Sequence, residues 1–459
     1  MRSTLWRKDG FLFYLLLGFS AEENERRNRL WFIERAAALV LCYDSDGSVR
    51  ILPWRVGFPA VGDRPLYSCM AKSALLASSQ YNFARAGSAR ILLFDTTQHG
   101  APQPLFLQEL KDLARDNPGH FAHTFVDEAE FLRRRSLAER IITRMLDWLT
   151  INLRSRRRRA VAYEAASRLL SYRRHAVFSK ELNTKLIDRA RSFRPDLVLV
   201  VMGFHIPPYV LRTIKDATGA AIVNFASDDP FNPRLKTREL IESIPYYDVY
   251  ASTKRAVMSD LKTAGGRHVQ YVRFGFKSSV HFVDCPVTSS ERSRFGADVA
   301  FVGEGDADRV PFVTSLTKAI PNLNLALYGG LWDRHPLLRR YFRGSVRGRE
   351  FRMALGGAKI VLNVVRRGNR DDHVMRTFEA PACGAFVLHE RTDSHLEIFK
   401  EGREAAFFES AEELNDKVAY YLSHDSERER IREAGYARTL TGGHTYRHRL
   451  EDIFATVLG

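Results

Sequence analysis

From Ala89 onward the chain alternates two hydrophobic rhythms. Runs apolar at nearly every position, RILLFDTT from Arg90, DLVLVVMG from Asp196, AAIVNFAS from Ala220 and YDVYAST from Tyr247, end in turn-forming residues. Spacers such as PLFLQELKDLARDN and SKELNTKLIDRARSF set apolar residues three and four apart instead. A continuous apolar run marks a strand covered on both faces, as in a parallel sheet between helix layers, and the three-four spacing is that of an amphipathic helix. FAHTFVD adds another strand-like run, and a helical pattern extends from Glu128 to about Ser171. The rhythm restarts after Gly296 with DVAFVG, LNLALYGG, KIVLNVV, AFVLHE and EAAFFES, each followed by a helix-like segment. The pattern predicts an α/β fold of two Rossmann-like domains, facing each other across a cleft at the carboxyl ends of their sheets.

Between the halves, FGFKSSVHFVDCPVTSSERSRFG (274–296) follows neither period and reads as a linker that joins them once. The expected domains are 89–280 and 281–459. Residues 1–88 fit less well and read as an N-terminal extension. Within it AALVLCYDSDGSVRILPW suggests a hairpin around Asp46-Gly47, and Met70 is an alternative start. The run Phe11–Phe19 follows Arg2, Arg7 and Lys8, as a signal peptide would, but reads equally as a buried strand or helix.

The segment KIVLNVVRRGNRDDHVMRTFEAPACGAFVLHE (359–390) carries the most chemistry. It reads strand, basic loop, short helix, glycine, strand. Proline is best tolerated in a helix's first turn, so Pro381 predicts a helix beginning only shortly before Glu379. Arg366, Arg367 and Arg370 then lie in the loop feeding its amino end, where guanidiniums and free N–H groups suit a diphosphate. Arg376 and Glu379 share a helix face, and a carboxylate there suits a ribose diol. The plain alternative is a surface ion pair, with Gly384 a simple helix stop.

Other candidates sit at strand ends. Asp228 and Asp229 follow AAIVNFA before Pro230, placed to bind acceptor hydroxyls, to act as a base, or only to open a turn. His205 ends another strand, where a catalytic role stands against a structural one. Tyr328-Gly329-Gly330 and Trp332 close the second strand of the second half, the glycines admitting a nucleotide closely or making a turn.

Taken in order and spacing, RPDLVLVVMG, NFASDDPFNP, YDVYASTKRAV, ADVAFVGEGDADRVPF, LALYGGLWDR, the 358–399 segment, GREAAFFESAEEL and GGHTYRHRL resemble the CgeB-like (spore-maturation) branch of group 1 glycosyltransferases. The resemblance implies the GT-B fold and transfer of a sugar from a nucleotide diphosphate donor to an unidentified acceptor. It implies that Glu379 binds the donor ribose, and that the acid eight residues earlier contacts the donor sugar. That place holds Asp371 instead of the usual Glu. It further implies that Gly303 and Arg309 lie in the loop after the donor half's first strand, with Arg309 at the diphosphate. The usual second lysine is missing before Lys318, leaving Arg366 or Arg367 as its substitute. The resemblance makes 89–280 the acceptor-binding half and 281–459 the donor-binding half, with His444 and Arg447 at the start of its closing helix and Thr445 as the cap; Gly329, Arg376 and Gly384 complete the expected donor-binding residues.

Composition narrows the partners. Lys plus Arg total 70 against 54 acids, a net charge of +16, which favours anionic partners such as nucleotide phosphates or acidic lipid. The four cysteines, Cys42, Cys69, Cys285 and Cys383, show no paired spacing, against a zinc site or disulfide framework. The expected cofactor is none beyond the nucleotide sugar as substrate, with no metal and no nucleic acid, and the expected location is cytoplasmic. A dinucleotide-dependent oxidoreductase is disfavoured, because GEGDAD at Gly303 has Asp308 where the third fingerprint glycine belongs. A non-catalytic binder of nucleotide or membrane remains the other class. RSRRRR (Arg154–Arg159), interleaved downstream with apolar residues, suits peripheral contact with the anionic inner membrane surface; the alternative is a solvated face. On the membrane reading, binding to phosphatidylserine vesicles is expected to weaken steeply with salt, and by about 1 kcal/mol per Arg→Gln change between Arg154 and Arg159. Vesicle sedimentation checks this; equal binding of wild type and variants would leave a solvated face.

Overall fold

The computed structural model describes residues 3–8, 11–16, 39–43, 49–53, 89–95, 103–128 and 180–458. It divides into two compact units, 1–68 and 69–459. In the first, strands β1 (Ser3–Lys8), β2 (Phe11–Leu16), β3 (Leu39–Tyr43) and β4 (Val49–Pro53) form one antiparallel sheet in chain order. Tyr43 pairs with Val49 and Leu39 with Pro53, a hairpin spanning Asp46-Gly47. The division falls at Ser68, short of the expected boundary at 88; residues 69–88 lie outside the described residues, as do Arg154–Arg159 and most of the expected 128–171 helix.

The second unit holds two parallel sheets of the same winding. Strands β5 (Ala89–Asp95), β6 (Phe121–Asp127), β7 (Leu197–Val201), β8 (Ala221–Ala226), β9 (Val249–Ser252) and β10 (Val269–Tyr271) lie in the order β10-β9-β8-β7-β5-β6. Strands β11 (Ala297–Val302), β12 (Leu325–Tyr328), β13 (Ala358–Asn363), β14 (Val387–Glu390) and β15 (Ala406–Phe408) lie in the order β12-β11-β13-β14-β15. In each sheet the first strand sits between the second and the third, so the winding reverses beside it, which is where doubly wound sheets open a crevice for ligand. All five residues of β7 are buried, as the continuous apolar run requires. Helices such as Gln103–Asp116 and Val310–Ala319 bury Phe106 and Leu110, or Phe312, Val313 and Leu316, against the sheets.

Three expectations are corrected here. The stretch 274–296 is not linker throughout: Ser289–Phe295 is a helix, because Thr288 accepts from the Glu291 N–H while Glu291 reaches back to the Thr288 backbone, a reciprocal cap that needs no apolar period. The helix bearing Glu379 runs Arg376–Ala382, so Pro381 sits in its interior and not its first turn. Finally, the halves are not joined once. The closing helix Tyr446–Val457, capped by Thr445, buries Tyr446, Leu450, Ile453 and Phe454 in the core of the first domain beside Phe106. The returning chain pairs with the outgoing one through Phe276 N–H to His444 O and Tyr446 N–H to Phe276 O, both 3.0 Å. Gly275 permits this, since a Cβ there would lie 2.9 Å from the backbone of His444, Thr445 and Tyr446.

The two domains are also pinned by the loop from Arg366 to His373. Arg370 grips Asp229 with two bonds of 2.6 and 2.9 Å and reaches Asp260 at 2.5 Å. Asp372 accepts from the Tyr271 hydroxyl at 3.2 Å, and His373 Nε2 accepts from the Phe274 N–H at 3.0 Å. Deepest is Lys254, which follows β9; its ammonium lies 2.6 Å from Asp371, both side chains fully buried, and 4.8 Å from the Phe274 ring. Breaking such a pair strands one charge in a low dielectric, at about 3–5 kcal/mol. Lys254→Met is therefore expected to lower unfolding free energy by that amount, and denaturant titration checks it. A loss under 1 kcal/mol would mean that water reaches the pair.

Candidate functional site

Where the two sheets face each other, a cleft of about 630 Å³ opens, within the range of small-molecule sites. Its floor is made by the ends of β11 and β12. The Gly303 N–H donates to Tyr328 O at 2.8 Å, and Gly329 follows at φ +118°. A Cβ on Gly329 would lie 2.3 Å from the Gly303 carbonyl oxygen, so only glycine lets the two loops close. The contact that demands glycine is thus within the protein. Trp332, a candidate beside it, is fully buried and donates its indole N–H to Gly303 O at 2.7 Å.

Four guanidiniums, Arg309, Arg347, Arg366 and Arg376, and three carboxylates, Asp228, Glu304 and Glu379, line this cleft. Arg309 sits at the start of the Val310–Ala319 helix, held by Asp306 at 3.1 Å and Glu304 O at 3.2 Å. Arg376 ties its helix to β11 through a 2.7 Å bond to Val302 O and binds Glu379 at 2.5 Å. The pair is therefore formed but is no surface feature: Glu379 is only 5% exposed, on the cleft wall. Asp228 enters from β8 of the first domain. Its Oδ1 accepts from Arg366 at 2.9 Å and from the Asn369 amide at 2.8 Å, both of the other domain.

The structure thus brings Asp228, Gly303, Arg309, Gly329, Arg366, Arg376 and Glu379 together on the cleft lining, and places Asp229, His205, Arg367, Arg370, Asp371 and Gly384, like Trp332, elsewhere. Asp229 is buried under Arg370 and accepts the Phe231 N–H at 2.8 Å, so it builds the turn and the domain contact. Asp371 is held by Lys254, Arg366 and the Asn369 amide; burial pushes its carboxyl up, but the two cations more than offset this and keep it below the usual range. Arg367 pairs with Glu390 on the outer side of the loop. His205 lies 3.8 Å from Glu128, whose buried carboxyl is pushed up to about 7, burial first and Asp127 second. Gly384, at φ +77°, ends the Glu379 helix against Val283. The helix that carries Glu379 has seven residues, and the Val374 N–H just before it donates to Thr377 Oγ1 at 3.2 Å.

Residues that pattern reading missed are Lys254, Asn369 and His281. His281 stands in the aperiodic stretch after β10, and Lys254 reads as one basic residue of a helical spacer; only their three-dimensional neighbours give them meaning. Among the described residues no group of three or more His, Cys, Asp or Glu is placed to hold a metal ion, and no helix is long and apolar enough to cross a membrane.

Residues 309–455 match a family described as glycosyl transferase-like. The chain is similar to the solved structure of Anabaena HepE in complex with UDP-glucose, with a TM-score of 0.52 at 11% identity over 80% of this chain and 99% of that one. It is similar to sucrose-phosphate synthase from Thermosynechococcus elongatus, with a TM-score of 0.51 at 10% identity over 80% and 98%. A glycosyltransferase from Rickettsia africae gives 0.50 at 11% identity over 82% and 99%. No curated protein matches the chain in sequence. The fold is GT-B: two facing parallel-sheet α/β domains, with a glycosyl transferase-like domain in the second.

Proposed function

We propose that this chain is a sugar-nucleotide-dependent glycosyltransferase of the CgeB-like branch, binding its donor in the second domain and its acceptor in the first. The observation that carries the reading is the buried Arg376–Glu379 pair on the wall of a cleft floored by Gly303 and Gly329. Glu379, beside a guanidinium, offers a fixed acceptor for a ribose diol. Arg309 and Arg366, on the same lining, are the counter-charges for a diphosphate, whose developing negative charge in the transition state must be neutralised for it to leave. No metal is assigned to that task in this reading. The Anabaena neighbour, solved with UDP-glucose, makes a uridine donor the first to test.

Asp371 is taken up by Lys254, and in this proposal Asp228 has the sugar-contact role instead. Its Oδ1 is fixed by Arg366 and Asn369, its carboxylate lines the cleft, and it enters from the acceptor domain. Asp228 is then the acid that meets sugar or acceptor hydroxyls. Cytoplasmic location with peripheral membrane contact through Arg154–Arg159 belongs to the same proposal, since lipid-linked acceptors lie at that surface.

Glu379→Gln keeps the volume but removes the charge that strengthens hydrogen bonds to the diol. Affinity for a nucleoside diphosphate is expected to fall about ten- to a hundredfold, or roughly 1.5–3 kcal/mol, with melting unchanged within a few degrees. Calorimetry against UDP, ADP and GDP measures it. Unchanged affinity in a normally melting variant would reduce Glu379 to a partner of Arg376. Binding without donor turnover would make the chain a nucleotide binder.

A further inference from the structure

The stretch joining the domains does more than connect them. After β10 it makes one turn from Lys277 to His281, closed by the His281 N–H donating to Lys277 O at 2.7 Å. The Lys277 ammonium is buried between Glu109 at 3.1 Å and Asp112 at 2.5 Å, on the Gln103–Asp116 helix of the first domain. At the other end of the turn, His281 is 5% exposed and forms part of the cleft wall, its ring beside Phe351.

The tautomer of His281 follows from its partners. Lys277 N–H donates to His281 Nδ1 at 3.1 Å, so Nδ1 is the acceptor and a neutral ring carries its proton on Nε2. Nε2 faces Glu379 Oε1 at 3.6 Å, while Arg376 holds Oε2 of the same carboxylate. Burial holds the imidazole below its ordinary pKa, although Glu379 pulls the other way. A proton added at Nδ1 would meet the Lys277 N–H head-on, which fixes the same tautomer.

From this juxtaposition we infer that His281 is a positioning residue for nucleoside recognition: its Nε2–H and the Arg376 guanidinium hold the Glu379 carboxylate between them, oriented for the two ribose hydroxyls. The inference rests on the reading of Glu379 as the ribose acid and adds a second residue to it. It also ties that acid to the acceptor domain, since the turn presenting His281 is anchored on Glu109 and Asp112.

The test compares each nucleotide with its dideoxy counterpart on four proteins. Calorimetry of the full chain with UDP, ADP and GDP, each against its 2′,3′-dideoxy counterpart, gives the affinity ratio that the diol contributes. In the wild type this ratio is expected to exceed tenfold for the preferred nucleotide. His281→Gln places an amide N–H near the position of Nε2, and should keep most of the ratio. His281→Asn places its amide near Nδ1, too short to reach Glu379, and should lose at least fivefold of it while the dideoxy affinity stays within twofold. Glu379→Gln should lose it likewise. Equal weakening of both ligands in His281→Asn, or a wild-type ratio retained there while Glu379→Gln loses it, would overturn the role of His281. A wild-type ratio near one would overturn the ribose reading itself, and the inference with it.

Discussion

A charge that is cut off from water must be met by another, and Lys254 and Asp371 impose that condition on the whole molecule. One stands on the first domain and the other on the second, and neither is exposed. The low dielectric makes their separation costly, so the loop carrying Asp371 is docked wherever the native fold persists. Around this pair the neighbours arrange themselves: Arg370 on Asp229 and Asp260, Asp372 on Tyr271, His373 on the Phe274 backbone. The same loop then has Arg366 and Asn369 left to hold Asp228. A contact that looks purely structural thereby sets where an acid of one domain stands relative to the cations of the other.

Much of the fold is legible in the sequence because its physics is local. A strand sandwiched between helix layers has no polar face to spare, and DLVLVVMG or KIVLNVV records this residue by residue. The glycines at 329 and 330 are also readable as a tight approach or a turn, although nothing local says that Gly329 approaches Gly303. The Ser289–Phe295 helix escaped because its signal is a reciprocal cap, Thr288 with Glu291, and not a period.

The site was legible only in part, for a related reason. Charge type can be read from a sequence, but pairing cannot. Asp228 and Asp229 are adjacent and chemically identical, yet one lines the cleft and the other disappears beneath Arg370. Arg366 and Arg367 divide in the same way, between the cleft and Glu390. Asp371 occupies the place that the family resemblance gives to a sugar-binding acid, and its partner Lys254 lies more than a hundred positions away (371 − 254 = 117). His281 could not have been singled out at all, because its importance comes from a backbone N–H on one side and a carboxylate on the other.

The double passage of the chain between domains has a consequence for biosynthesis. The first domain's core contains Phe106 and Phe121 early in the chain, but also Tyr446 and Phe454 near its end, with Phe106 and Tyr446 ring centres 5.1 Å apart. A ribosome releases the chain from the amino terminus, so that core is complete only when the last helix has emerged. The second domain, with its sheet drawn wholly from residues 297–408, has every strand in hand before then. The half synthesised first is thus completed only after every strand of the half that follows it has been made.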